Sequence, residues 1–242
     1  MPAIHASSSS TTWRDPRHGP LIFLLLALTI ATGLVDAVSF IALGHVFVAN
    51  MTGNVVFLAF AVAEPSAFSV PASLTALAAY AAGAFGGGWL GARGGMRRGN
   101  LIAASTLIEA ALASVALAAL LVGGDLRAEA VKYVLIILLA IAMGLQNAVA
   151  RKLAIPDLNT SVITMTLTGL AADAINIEDG QYDPRRRLLA VALLFAGAAV
   201  GGVLVHKAGI HYVLALLMVL LLICAAAAWH VTDARAAWNT LD

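Results

Sequence analysis

Apolar residues fall into eight runs that are separated by short polar stretches. The runs cover approximately residues 20–43, 46–63, 70–92, 101–122, 131–150, 158–172, 187–206 and 210–231. A helix needs about 20 apolar residues to cross the hydrocarbon core of a bilayer. Six of the runs reach that length comfortably, whereas the second and the sixth are marginal. The pattern predicts an all-α integral membrane protein with two short segments.

Composition supports a membrane protein and excludes several other classes. The chain is 61% hydrophobic and 11% charged, whereas soluble proteins average about 25% charged residues. The lipid bilayer is therefore the expected partner. A net charge of +1 without a basic block gives no sign of nucleic-acid binding. Cys224 is the only cysteine, which excludes an intrachain disulfide and a cysteine metal cluster, and no cofactor or metal is expected.

The first nineteen residues are polar and rich in serine and threonine, which predicts a disordered cytoplasmic tail. Arg14 and Arg17 precede an apolar stretch, as in a signal peptide. That stretch is too long, however, and no small-residue cleavage site interrupts it before Asp36. The first run is therefore interpreted as a retained helix.

Two segments of the chain recur in its second half. The segment from Gly33 to Ser39 returns from Gly144 with four identities in seven, at an offset of 111 residues. The segment from Ala82 returns from Ala196 with seven identities in fourteen, at an offset of 114 residues. These offsets predict two membrane repeats, residues 20–123 and 124–232, followed by a short tail at 233–242. Duplicated halves are common in membrane transporters.

The positions of Lys and Arg favour six crossings over eight. If all eight runs crossed from a cytoplasmic N-terminus, eight of these residues would lie inside and six outside. If the second and sixth runs instead entered and returned on the same side, eleven would lie inside and three outside. The positive-inside rule favours the second arrangement. It places Ser66 and Lys207 in the periplasm, and Arg97, Arg151 and Gln181 in the cytoplasm.

Equivalent loops of the two copies carry opposite charge bias. The loop after the first run has no Lys or Arg, whereas its counterpart has Arg151 and Lys152. Opposite bias indicates that the two copies have opposite orientations in the membrane. In the six-crossing arrangement, each copy contributes three transmembrane helices and one short re-entrant or broken helix. An odd number of crossings gives two inverted repeats. The alternative is eight full spans in two parallel repeats.

Asp36 lies deep in the first run. A carboxylate at such a depth costs about 2.5 to 3.5 kcal/mol on insertion scales, so its side chain must face protein or water. It is a candidate cation or proton site, and the alternative is a structural Asp that is protonated or hydrogen-bonded. Asn147 occupies the equivalent position in the second copy. It cannot titrate, but it can form hydrogen bonds.

The second run begins with polar residues, among them Asn50, Thr52 and Asn54. This pattern is typical of a half-helix whose free N–H groups face a ligand. Thr164 and Thr166 follow Thr52 and Asn54 by 112 residues in the second copy. We expect Asn54 and Thr166 to lie close together. The alternative is helix capping and hydrogen bonding between helices.

The residues from Thr32 to Phe40, followed by those from Phe47 to Asn54, resemble the signature of the YoaK-like family of bacterial integral membrane proteins. The motif joins an intramembrane Asp to an Asn-Met-Thr-Gly-Asn sequence at fixed spacing. The resemblance extends over about residues 20–231. It implies a multi-pass protein of the bacterial inner membrane and no particular substrate.

Glycines and one further acid complete the set of candidates. Gly83, Gly87 and Gly91 recur at four-residue spacing, which lets helix backbones approach closely. They could pack within the chain or form a homo-oligomer.

Glu109 lies in the middle of the fourth run. It could be a second proton carrier or the partner of a neighbouring polar group.

These observations predict a transporter of a small solute or ion. Asp36 would bind a coupling cation or proton, and six polar residues would line the pathway: Asn50, Thr52, Asn54, Asn147, Thr164 and Thr166. The alternatives are a passive channel and a non-transporting membrane scaffold or sensor. An enzyme is not expected, because the sequence has neither a His-Glu zinc motif nor a Gly-x-Ser-x-Gly motif.

Overall fold

A computed structural model describes residues 20–64, 68–92, 96–123, 128–154, 167–168, 184–231 and 239. These residues form seven long helices, and no strand is found among them. The helices are α1 (Leu21–Ala42), α2 (Met51–Ala63), α3 (Val70–Ala92), α4 (Arg98–Gly123), α5 (Glu129–Leu153), α6 (Pro184–Lys207) and α7 (Ile210–Val231).

Six of these helices are long and apolar enough to cross a membrane, as the hydropathy pattern predicted. The exception is α2, which has 13 residues. At about 1.5 Å per residue it extends for about 20 Å, whereas the hydrocarbon core is about 30 Å thick. Of the sixth apolar run the structure describes only Leu167 and Thr168, so Thr164 and Thr166 lie outside the described residues.

The polar side chains of α1 are accommodated by its own backbone. The hydroxyls of Thr29 and Thr32 donate to the carbonyl oxygens of Leu25 and Leu28, at 2.9 and 3.0 Å. These bonds satisfy hydroxyl groups that would otherwise be costly in an apolar environment. The helix ends before Gly44, whose positive φ of 92° turns the chain back.

Glycines bring two pairs of helices into close contact, α3 with α5 and α1 with α6. A Cβ atom at Gly87 would lie 2.7 Å from the carbonyl oxygen of Leu145, so a larger residue would meet the backbone of α5. Gly83 faces Ile141 in the same way, and Gly91 lies against Lys152. This is the packing within one chain that we expected for these glycines. Homo-oligomer formation stays a prediction.

Four helices form the centre of the bundle. Helix α4 packs on α5 and α7, and α1 packs on α7 and contacts α5. Helices α3 and α6 flank this group, and α2 packs on α3. The buried core therefore lies where two helices of the first half, α1 and α4, meet two of the second, α5 and α7.

Contacts at the helix ends give the direction of each crossing. A Cβ at Gly44, after the end of α1, would lie 2.5 Å from Nζ of Lys132 at the start of α5. Gly123, at the end of α4, lies beside Val131. The end of α3 lies instead beside the end of α5, where Gly91 meets Lys152. Because α3 and α5 run in the same direction, the chain leaves α1 and enters α3 at the same end of the bundle. The intervening α2 therefore does not carry the chain across.

Candidate functional site

The segment between α1 and α2 folds back into the bundle beside Asp36. The Asp36 carboxylate accepts a hydrogen bond from the backbone N–H of Ala49 at 3.1 Å. The N–H groups of Val48 and Asn50 also face this carboxylate. Asp36 lies six residues before the end of α1 at Ala42, which is about 9 Å along the helix. Ala49, just before α2, therefore lies about 9 Å inside the end of α1.

Asn54 holds the same segment from the other side. Its Oδ1 accepts the backbone N–H of Phe47 at 2.9 Å, and its Nδ2 donates to the carbonyl oxygen of Phe47 at 2.6 Å. The side chain is fully buried. Asn54 therefore supplies the partners that Phe47 would find in a regular helix or sheet. Its geometry assigns it to positioning the loop.

Asn50 and Thr52 lie at the exposed start of α2. Asn50 is the N-cap residue, but its side chain forms no capping hydrogen bond. Its carbonyl oxygen accepts the N–H of Gly53 at 3.2 Å. Asn50 therefore does not cap the first turn of α2 through its side chain.

Aromatic rings cover the returning segment. Phe40, Phe47, Phe57 and Phe68 stack in sequence, with centroids 5.1, 5.8 and 5.3 Å apart. A Cβ on Gly53 would lie 2.6 Å from the ring of Phe47, so a larger residue here would displace that ring. The cluster joins the end of α1, α2 and the residues just before α3, which places α2 near one end of the bundle.

A second set of polar groups joins α1 to α5. Nε2 of Gln146 donates to Oγ1 of Thr32 at 3.0 Å, and both residues are buried. Asn147 is half-buried, and its Nδ2 donates to the carbonyl oxygen of Met143, four residues earlier, at 2.9 Å. The predicted equivalents Asp36 and Asn147 thus differ in what they bind among the described residues.

Sequence reasoning missed two residues of these clusters. Tyr80 of α3 lies close enough to Asp36 for the charge of the carboxylate to act on its hydroxyl. Gln146 was noticed only as part of the repeat. A glutamine in an apolar helix is as unusual as an aspartate, and that signal could have found it. The expected proximity of Asn54 and Thr166 stays a prediction, because Thr166 lies outside the described residues.

The fold and these buried polar groups define a multi-pass α-helical membrane protein. Residues 24–227 match the family described as "Protein of unknown function (DUF1275)", and the chain belongs to that family. It is also similar to the UPF0700 transmembrane protein YoaK of Bacillus subtilis (strain 168), with 35% identity over 150 residues. The match covers 62% of this chain and 65% of the relative. No solved structure matches the chain.

These matches confirm the YoaK-like resemblance that the Asp36 and Asn-Met-Thr-Gly-Asn motifs indicated. Together with the six apolar spans, they identify a multi-pass protein of the bacterial inner (plasma) membrane.

Proposed function

We propose that the protein transports a small solute or ion across the inner membrane, with its binding site where Asp36 meets the start of α2. The observation that carries the proposal is the hydrogen bond between Asp36 and Ala49, which lies about 9 Å inside the end of α1. Irregular backbone at membrane depth is tolerated where it is buried in protein or lines a watery cavity. Transporters place their substrate and coupling-ion sites at such interrupted helices.

Two inverted repeats form the framework of the proposed transporter. The glycine contacts support structural equivalence of the two halves. When the sequence offsets are applied to the residues of one glycine contact, they give the residues of a second, equivalent contact. Gly83 faces Ile141, and Gly197 faces Ile30. Adding 114 to Gly83 gives Gly197, and subtracting 111 from Ile141 gives Ile30.

A second glycine pair supports the same relation. Gly87 faces Leu145 and the methyl group of Ala148. Its equivalent Gly201 faces Leu34 and Ala37, the residues that precede Leu145 and Ala148 by 111 positions. The inverted orientation has separate support: α1 ends where α5 begins, so the first helices of the two halves run in opposite directions. In an inverted repeat the halves exchange conformations to give alternating access.

Asp36 couples binding to movement of the returning segment in this proposal. A proton or cation that binds the carboxylate competes with the backbone N–H of Ala49 for the same oxygen atoms. Binding therefore weakens the attachment of the segment between α1 and α2, while Asn54 keeps that segment folded through Phe47. A change of charge at Asp36 becomes a change of position at the start of α2.

The remaining predicted site residues line the pathway around this point. Asn50 and Thr52 are exposed at the start of α2, where N–H groups of a helix N-terminus favour an anionic or polar ligand group. Asn147, Thr164 and Thr166 are the proposed contributions of the second half. The partner is a small solute or ion, and neither a nucleic acid nor an enzymatic reaction is part of the proposal.

Ligand-dependent thermal stabilisation of the purified protein tests the proposed site. A ligand that binds only the folded state at 100 times its Kd stabilises it by about 2.7 kcal/mol. We would screen alkali-metal cations, amino acids, organic acids and sugars. A stabilising ligand should act on the wild type and on Glu129→Gln, which removes an exposed carboxylate at the start of α5. It should not stabilise Asp36→Asn. Equal stabilisation of Asp36→Asn would place the ligand elsewhere.

A further inference from the structure

Two buried acceptor groups, one on α4 and one on α5, have no hydrogen-bond partner among the described residues. One is the carboxyl group of Glu109, neither of whose oxygens is bonded, and the other is Oε1 of Gln146. Glu109 is fully buried and Gln146 is 1% exposed. An isolated charge or an unsatisfied amide oxygen in such a place is strongly unfavourable. Neither of these groups is hydrogen-bonded to Asp36 or Ala49.

The packing of α4 on α5 brings these two groups to the same depth. Gly123 of α4 lies beside Val131 of α5. Fourteen residues back along α4 reach Glu109, and fifteen forward along α5 reach Gln146. At 1.5 Å per residue, both lie about 21 to 23 Å from that end of the hairpin.

The two residues also lie on buried stripes of their helices. Glu109 belongs to a buried series on α4 at spacings of three and four, which includes Ile102, Ser105, Ala113 and Ala116. Gln146 belongs to a similar series on α5 with Ala142, Val149 and Leu153. The guanidinium of Arg98, on the first turn of α4, donates to the carbonyl oxygen of Leu153. Both stripes lead to this contact between α4 and α5, which favours a shared interface for Glu109 and Gln146.

The hydrogen bonds of Thr32 fix which end of the Gln146 amide is free. The Thr32 hydroxyl donates its only hydrogen to the carbonyl oxygen of Leu28. Its oxygen can therefore only accept from Gln146, which must present its NH₂ group. The amide oxygen is left facing elsewhere as an acceptor without a donor. An ionised Glu109 has no hydrogen to offer, whereas a neutral carboxyl group has one.

We propose that Glu109 is a proton-binding site whose neutral carboxyl group donates a hydrogen bond to Oε1 of Gln146. The proton completes a directional chain from Glu109 through Gln146 and Thr32 to the carbonyl oxygen of Leu28. Each member of such a chain polarises the next and strengthens it. The chain joins α4 and α1 of the first half through α5 of the second, so protonation of Glu109 stabilises the contact between the halves.

The surroundings of Glu109 favour a proton over a metal ion. Cys224 of α7 lies within electrostatic range of Glu109 and is the titratable group that faces it from that helix. Gln146 on α5 is neutral. The charged residues of α5 and α7 lie towards the helix ends, and α3 carries none. The nearby hydroxyls of Ser105 and Thr106 donate to the carbonyl oxygen of Ile102. Hard metal ions require about six oxygen ligands, more than this group of described residues supplies.

Infrared spectroscopy of the purified protein tests this inference without any transport assay, so its failure is separate from failure of the proposed function. At neutral pH the wild type should show the carbonyl band of a protonated carboxyl group. The band should be absent in Glu109→Gln and present in Asp36→Asn. In Gln146→Leu it should move to the higher frequency of a carboxyl group that lacks this acceptor.

Two results would overturn the proposal. One is a carboxylate band that disappears in Glu109→Gln at neutral pH, since that residue would then be ionised. The other is thermal stabilisation of the wild type by an alkali-metal or divalent chloride that Glu109→Gln abolishes, since the site would then hold a metal ion. If Glu109→Gln does not fold, Gln146→Leu provides a separate test. A carbonyl band of the protonated carboxyl group at the same frequency in Gln146→Leu as in the wild type would also contradict the proposal.

Discussion

The carboxylate of Asp36, six residues before the end of α1, binds the backbone N–H of Ala49, thirteen residues further along the chain. This contact shows why a charged residue can lie so deep in an apolar helix. The carboxylate is half-buried and faces backbone donors of the same chain, so it does not face lipid. In the proposed function, the protonation or cation binding of Asp36 controls the position of the returning segment.

The Asn54 side chain should be essential for the shape of that segment. Asn54→Ala removes two hydrogen bonds to Phe47 and leaves its buried backbone groups without partners. We expect a loss of about 2 to 3 kcal/mol in the free energy of unfolding, at about 1 to 1.5 kcal/mol per bond. Denaturant unfolding in detergent micelles measures it. Thr52→Ala, at an exposed position two residues earlier, is the control and should change stability by less than about 0.5 kcal/mol. Equal effects of the two changes would contradict the assigned role.

The glycines of α3 provide a matched pair for the helix packing. Gly83→Ala places a methyl group against the backbone of Ile141, and overpacking of this kind costs about 1 to 3 kcal/mol. A Cβ at Gly86, on the same helix, would meet nothing within 4 Å. Gly86→Ala should therefore be neutral or slightly stabilising, because glycine is a poor helix former. Thermal unfolding of the two variants checks this difference.

The repeat relation makes a further prediction for the second half. Gly197 faces Ile30 as Gly83 faces Ile141. Gly197→Ala should therefore lower stability by an amount similar to Gly83→Ala, within about 1 kcal/mol. The same unfolding assay measures it. A neutral effect at Gly197 would show that the α1–α6 contact differs in energy from the α3–α5 contact.

The sequence predicts the helices better than it predicts the candidate site. The six spans followed from hydropathy, because lipid requires about 20 consecutive apolar residues. The sequence repeat also identified Gly83 and Gly197, since close backbone approach restricts a position to the smallest residue. The direction of the Asp36 side chain was not predictable. It depends on the return of the segment around Ala49, which Asn54 and stacked aromatic rings determine through tertiary contacts.

The buried hydrogen bond between Thr32 and Gln146 should couple α1 to α5. Thr32→Val keeps the volume but removes the acceptor, and Gln146→Leu removes the donor. A double-mutant cycle should give a coupling of about 0.6 kcal/mol and at most about 1.7 kcal/mol, as for other hydrogen bonds between membrane helices. Thermal unfolding of the four proteins provides the values. Additive effects would mean that the bond contributes nothing to stability.

The charge division predicts which residues face the cytoplasm. Single cysteines in a Cys224→Ala background should react with an impermeant thiol reagent at Ser66→Cys and Lys207→Cys in intact cells. Arg97→Cys, Arg151→Cys and Gln181→Cys should react only after the membrane is opened. Because Cys224 is the only cysteine, the Cys224→Ala protein has no thiol that could react with the reagent. Labelling of Arg97→Cys from outside, with Ser66→Cys protected, would instead support eight full spans in parallel repeats.

Uptake into proteoliposomes tests the central claim most directly. The ligand that stabilises the purified protein would be presented to vesicles containing wild type, Glu129→Gln or Asp36→Asn, reconstituted in equal amounts. We predict saturable uptake by the wild type and Glu129→Gln, and at least a tenfold loss in Asp36→Asn, which corresponds to about 1.4 kcal/mol or more. Uptake that rises linearly with concentration would indicate a passive channel. Uptake by Asp36→Asn equal to that of the wild type would contradict the proposed role of Asp36.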